Sequence, residues 1–153
     1  MARPTFEYKN QPVKAAGLLV WTQSNGKKWT LFRKYKGKWT DIGGKTSEQD
    51  KSIIDTVVRE VCEETNNSLF CTNDEDCASK VKNIIEHRSS KMFYDVKCKY
   101  LLFYCRVDAS LLVEPLSRFG EAEGTKKHEY RWVTSAPQPL HFRLRGFRFK
   151  QWF

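Results

Sequence analysis

The chain has 153 residues, 40% hydrophobic and 14% aromatic. That is enough for the core of one domain and too apolar for a disordered chain. Its apolar runs are short, which excludes a helix that spans a membrane. With 27 basic against 18 acidic residues the formal charge is +9, a balance that suits polyanionic partners such as nucleotides, inositol phosphates or RNA, and that serves solubility equally well.

Residues 12–22 read as a mostly buried strand, Asn25-Gly26 as a hairpin turn, and Lys28 to Tyr35 as the return strand. Gly37 breaks that strand, and Trp39-Thr40-Asp41-Ile42 leads into Gly43-Gly44. Next comes a helix. Ile53, Ile54, Val57, Val58 and Val61 form a single stripe at helical period. Beyond it, Asn66 to Cys71 reads as a short strand, and Asp74 to His87 as a second helix capped by Thr72 or Asn73. Ser89 to Cys98 and Lys99 to Val107 form a second hairpin; Ser110 to Phe119 is ambiguous and 120–127 is a polar loop. Glu129 to Val133 returns as a strand before Pro137 and Pro139. The whole is one domain, 1–153, with an aromatic and basic C-terminal segment at 137–153.

The five cysteines, Cys62, Cys71, Cys77, Cys98 and Cys105, are odd in number and contain no CxxC. Together with an N-terminus that lacks the apolar core of a signal peptide, they predict reduced thiols in an intracellular protein.

The helix carries the chemistry. At about 100° per residue, Glu60, Glu63 and Glu64 fall on one flank of the apolar stripe, Glu64 nearest the buried side and Glu63 nearest water. Carboxylates at this spacing repel, by a few tenths of a kcal/mol per exposed pair and by more as water is withdrawn. A solvated acidic stripe is one reading. The other is a site for hard divalent cations such as Mg²⁺ or Mn²⁺, which take oxygen ligands from one rigid element. Gly43-Gly44 upstream, where backbone can approach closely, and Arg59 beside the cluster favour the second.

The run Arg59-Glu60-Val61-Cys62-Glu63-Glu64 matches R-E-U-x-E-E, the right half of the Nudix box, G-x5-E-x7-R-E-U-x-E-E-x-G-U with U aliphatic. The chain resembles the Nudix hydrolases over about a sixth of its length. Asn66 stands where the box has its last glycine, and Asn67 where it has a hydrophobe. Gly44 precedes Arg59 by fifteen residues instead of fourteen, and Lys51 occupies the position of the first glutamate. Asp50 or Glu48 could take that acid's place, which in the family is to orient the arginine.

The resemblance implies an α/β (α+β) fold with a mixed sheet sandwiched between helices. It implies Mg²⁺ or Mn²⁺ held by Glu60, Glu63 and Glu64 with the Gly44 carbonyl, and hydrolysis of a diphosphate linkage. Glu60 or Glu129 would take the proton of the attacking water, with Glu121 and Glu123 as other candidates for a further acid. Arg59 would fix neighbouring carboxylates, and Gly43, Lys45 and Arg33 would contact substrate. A nucleoside diphosphate linked to another group is the family's default substrate. RNA caps and diphosphoinositol polyphosphates are alternatives, as is a non-catalytic domain that binds nucleotide or RNA.

In the tail, His141 to Phe153, aromatics interleave with cations. They could stack on bases and hold phosphates, or dock their rings on the sheet. His87, His128 and His141 show no ligand spacing and read as incidental.

Overall fold

The computed structural model describes residues 2–65, 77–88, 90–113 and 129–147. The expected strand at 66–71, its following cap, the loop at 120–127, Glu121, Glu123, His128 and the tail from Arg148 onward lie outside these residues.

Strands β1 (Phe6–Tyr8) and β2 (Gln11–Val13) form a small hairpin. The main sheet comprises β3 (Ala15–Ser24), β4 (Lys27–Tyr35), β5 (Lys38–Thr40), β6 (Ile42–Lys45), β7 (Lys91–Asp95), β8 (Tyr100–Arg106) and β9 (Glu129–Val133). Its central order is β5-β4-β3-β8-β7, with β6 on β3 and β9 on β4. Only β3 and β8 run parallel, so the sheet is mixed. The Asn25-Gly26 turn has φ of 53° and 74°, the left-handed pair that a two-residue hairpin demands.

Helix α1 (Ile53–Glu64) begins at Ser52, whose Oγ accepts from the Asp55 amide at 3.2 Å, and α2 is Cys77–Glu86. Both pack on one face of the sheet. There Val57, Val61, Val81 and Ile85 meet Ala16, Leu18, Val20, Leu31, Leu101 and Phe103. Burying each such valine contributes about 1.5–3 kcal/mol, which offsets the repulsion along the acidic flank. The Sγ atoms of Cys62 and Cys77 lie 3.2 Å apart where the helices touch, and both are reduced thiols, as are Cys98 and Cys105.

Alternation along the strands sends Leu19, Phe32, Leu102 and Tyr104 to the opposite face. A 3-10 turn at Phe142–Leu144 closes that side, with Leu144 fully buried and Phe147 edge-on to Phe93 at 6.3 Å. The ambiguous stretch after β8 starts as a 3-10 turn, Ala109–Val113.

A change of partner along β3 opens the sheet. β3 pairs with β4 over Trp21–Ser24, and with β6 over Ala15–Leu18. Between these segments β4 departs toward β5 and β9. The fork it leaves lies beside the acidic flank of α1.

Candidate functional site

A cavity of about 420 Å³ occupies the fork. β4 contributes Arg33 and Tyr35, β6 contributes Gly43, Gly44 and Lys45, and α1 contributes Glu60 and Glu64. Tyr100 and the segment His141-Phe142-Arg143 close the other side.

The three glutamates are graded in exposure as the helical stripe predicts, with side chains 14%, 57% and 12% exposed at Glu60, Glu63 and Glu64. Glu64 faces Arg33, whose Nε lies 3.3 Å from Oε2. Despite that distance the pair is misaligned for hydrogen bonding, and Oε2 is buried with no hydrogen-bond partner. Burial first, opposed by Arg33 and reinforced by Glu60, pushes the Glu64 carboxyl up to about 8. Glu63 is raised as well, by burial and then by Glu60.

Arg59 ties the loop to the helix. Its Nε and Nη2 meet the two oxygens of Asp50 at 3.0 and 3.1 Å, Nη2 reaches the Lys45 carbonyl at 2.9 Å, and Nη1 reaches Glu60 at 3.1 Å and Glu63 at 3.4 Å. Asp50 also accepts from the Ser47 amide and the Thr56 hydroxyl, both at 2.8 Å. Of the two acids open from the sequence, Asp50 therefore holds the arginine; Glu48 is exposed. The longer loop is absorbed by this turn.

Gly44 is required by proximity, since a Cβ there would stand 2.5 Å from Glu60 Oε1. At Gly43 a Cβ would strike the Ala16 carbonyl and the Gly17 backbone on the paired strand.

Asp41 and Tyr100 are absent from the sequence-based candidates, and Arg143 entered them only as one of the tail's cations. Arg143 Nη2 lies 3.0 Å from Asp41 Oδ1 and 3.4 Å from the Gly43 carbonyl, and Nε is 3.0 Å from Thr40 Oγ1. Tyr100 donates its hydroxyl to Asp41, whose side chain is fully buried, and the guanidinium stacks 4.9 Å from the Tyr100 ring. Burial works against the Arg143 charge, but Asp41, Tyr100 and Glu64 together outweigh it and raise the pKa. Of the tail's described rings Phe147 docks on Phe93 while Phe142 stays exposed, and one of the tail's cations enters the site. His141, read as incidental, lines the cavity and accepts the Arg143 amide on Nδ1 at 3.3 Å. Burial and then Arg143 lower its pKa, so it is held neutral.

Glu129 stands apart from the cavity. Its side chain is 49% exposed and pairs with Lys34 at 3.8 Å and Arg131 at 3.4 Å, and it does not line the cavity. Strand alternation places it with Arg131, away from α1, while the next residue, Tyr130, points inward and donates to the Glu64 carbonyl. Glu63 also stays off the cavity wall, turned toward Arg59.

Among the described residues no three His, Cys, Asp or Glu side chains are gathered as a metal-holding group. The donors that border the cavity are nonetheless hard oxygens, and the bare Glu64 Oε2 lacks a partner that a cation would supply. No helix among the described residues is long and apolar enough to cross a membrane.

No family model matches the chain, and no curated protein matches it. Among solved structures, it is similar to an Ap4A hydrolase of C. elegans, at 19% identity over 80% of each chain, with a TM-score of 0.42. It is also similar to the NUDIX domain of Shewanella oneidensis NrtR, complexed with ADP ribose, at 14% identity over 83% of this chain and 75% of that one, with a TM-score of 0.46.

Proposed function

We propose that the chain is a metal-dependent pyrophosphohydrolase of the Nudix type, which cleaves a diphosphate linkage in a nucleoside diphosphate bound to another group. The observation that carries this reading is the pairing, across one cavity, of the partly buried carboxylates Glu60 and Glu64 with the guanidiniums Arg33 and Arg143. Carboxylates alone would repel a diphosphate, and guanidiniums alone would bind it without activating water. Both together suit hydrolysis.

Glu60 and Glu64 are the residues to hold Mg²⁺ or Mn²⁺, joined by Glu63 once it releases its loose, exposed contact to Arg59. When bound, the metal would neutralise phosphate oxygens and lower the pKa of water. Arg33 and Arg143 orient the diphosphate through forked donors, and Lys45 adds charge at the rim. Arg59, fixed by Asp50, holds Glu60 in place beside Gly44. Glu60 is the candidate to accept the water's proton.

The altered left half of the box suits a binding domain without turnover, but Asp50 gives Arg59 the anchor that the missing glutamate would provide. The test is release of products from ADP-ribose, dinucleoside polyphosphates, nucleoside triphosphates, capped RNA and diphosphoinositol phosphates, with Mg²⁺ and Mn²⁺. Turnover by wild type and its loss in Glu60→Gln are expected; folded protein inactive on the whole panel would overturn the enzyme reading.

A further inference from the structure

Cys62 lies near the end of α1 and Cys77 opens α2. Their Sγ atoms are 3.2 Å apart, a separation from which one sulfur can attack the other, since reacting atoms about 3–3.5 Å apart are in near-attack geometry. The two thiols differ in access. Cys77 is fully buried, whereas Cys62 is half-buried. A small oxidant in solvent therefore reaches Cys62 first, with Cys77 behind it.

The other described cysteines are protected. Burial first pushes the Cys98 thiol up to about 11 and the Cys105 thiol up to about 12, so both are kept from the thiolate form that reacts with oxidants. The Cys62–Cys77 pair also stands apart from the cavity. Neither thiol lines it. At about 100° per residue, Cys62 is roughly 200° around α1 from both Glu60 and Glu64, on the opposite side of the helix. A bond formed there holds α1 from behind and leaves the carboxylate face open.

We propose that Cys62 and Cys77 form an oxidation site for hydroperoxides, at which a reversible disulfide closes between α1 and α2. In the first step Cys62 Sγ takes an oxygen from the hydroperoxide. The O–O bond breaks, an S–O bond forms, and the remainder leaves as an alcohol, or as water when the oxidant is hydrogen peroxide. In the second step Cys77 Sγ attacks Cys62 Sγ. The S–S bond forms, the S–O bond breaks, and the hydroxyl leaves as water with the Cys77 proton. The two sulfurs give up two electrons in all, and the hydroperoxide accepts them. A dithiol reverses the bond by exchange. The link joins positions 15 apart in sequence, which restricts the unfolded chain and so favours the folded one.

The test exposes the folded protein to one equivalent of hydrogen peroxide, blocks residual thiols and digests the chain at acidic residues. Glu63 and Glu64 separate Cys62 from Cys71, and Asp74, Glu75 and Asp76 separate Cys71 from Cys77, so each cysteine falls in its own peptide. The Cys62 and Cys77 peptides are expected to be joined, with two thiols lost per chain. The melting temperature is expected to rise by about 5–10 °C. Dithiothreitol should undo all three changes. In Cys77→Ser, Cys62 is expected to stop at the sulfenic acid, trapped by dimedone, and peroxide should leave the melting temperature unmoved.

A link through Cys71, a link between two chains, a lasting sulfenic acid in wild type, an oxidised form that melts no higher than the reduced one, or no loss of thiols would overturn the proposal. None of these readouts involves turnover, so the outcome is independent of the function of the cavity.

Discussion

Asp50 grips Arg59 with both carboxylate oxygens, at 3.0 and 3.1 Å, from a loop one residue longer than the motif allows. The same carboxylate caps the turn through the Ser47 amide and pins α1 through Thr56. One side chain thus joins loop, helix and the arginine beside the glutamates. Asp50→Ala is expected to destabilise by about 2–4 kcal/mol, because a partly buried pair loses one member. Glu48→Ala is expected to stay within about 0.5 kcal/mol. Urea melts of both variants check this, and equal effects would show that the acid had been misassigned.

Asp50 also sets an acid limb. Burial alone would raise its pKa, but the bonds from Arg59, Ser47 and Thr56 outweigh that and hold it below the usual value. A carboxyl lowered by folding contributes stability above its unfolded pKa, about 3.9, and loses it as pH falls through the folded value. Between pH 5 and 2 the wild type should lose more stability than Asp50→Asn. Parallel curves would show that Asp50 gains nothing on folding.

Neighbouring glycines should fail differently. In Gly44→Ala the new Cβ meets the end of a side chain, the Glu60 carboxylate, which can swing away. Activity should drop at least tenfold while stability changes by less than about 1 kcal/mol. In Gly43→Ala the Cβ meets the backbone of β3, which cannot, and several kcal/mol of stability should be lost. Thermal melts and turnover measured side by side distinguish the two.

Glu64→Gln is expected to remove turnover with little effect on the metal-free fold. Burial raises the Glu64 pKa and so favours its protonated form, which the amide copies. A loss above about 2 kcal/mol in chelator-treated protein would show that Glu64 is ionised against Arg33.

Arg143→Ala leaves Asp41 buried beside Tyr100 without its cation, at a cost of about 3–5 kcal/mol. Adding Asp41→Asn should recover part of the loss, and the double-mutant cycle measures how much. Glu129→Gln should leave both stability and activity unchanged, as an exposed pair contributes little.

What could be read from the sequence was local. Asn25-Gly26 announced its turn, the stripe from Ile53 to Val61 announced α1, and the phase of that stripe ordered the glutamates by depth. Arg143 was out of reach because its partner Asp41 lies 102 residues earlier; nothing in the tail's alternation singles out one arginine. Asp50 and Glu48 could not be separated because an inserted residue removes the register that would choose between them. The outward position of Glu129 was legible. In Glu129-Tyr130-Arg131 the two charges share a face at period two, so the inward residue had to be the tyrosine.

The distance in sequence between Asp41 and Arg143 also sets a schedule. At about 5–20 residues per second, a ribosome needs roughly 5–20 seconds to make the 102 residues that separate them. Throughout that interval Asp41 lacks the Arg143 guanidinium, and until residue 106 is made β3 also awaits its parallel partner β8. A translation product that stops short of residue 143 therefore leaves the Asp41 carboxylate without the guanidinium that faces it. The far wall of the cavity and the cover of the sheet's far face arrive together.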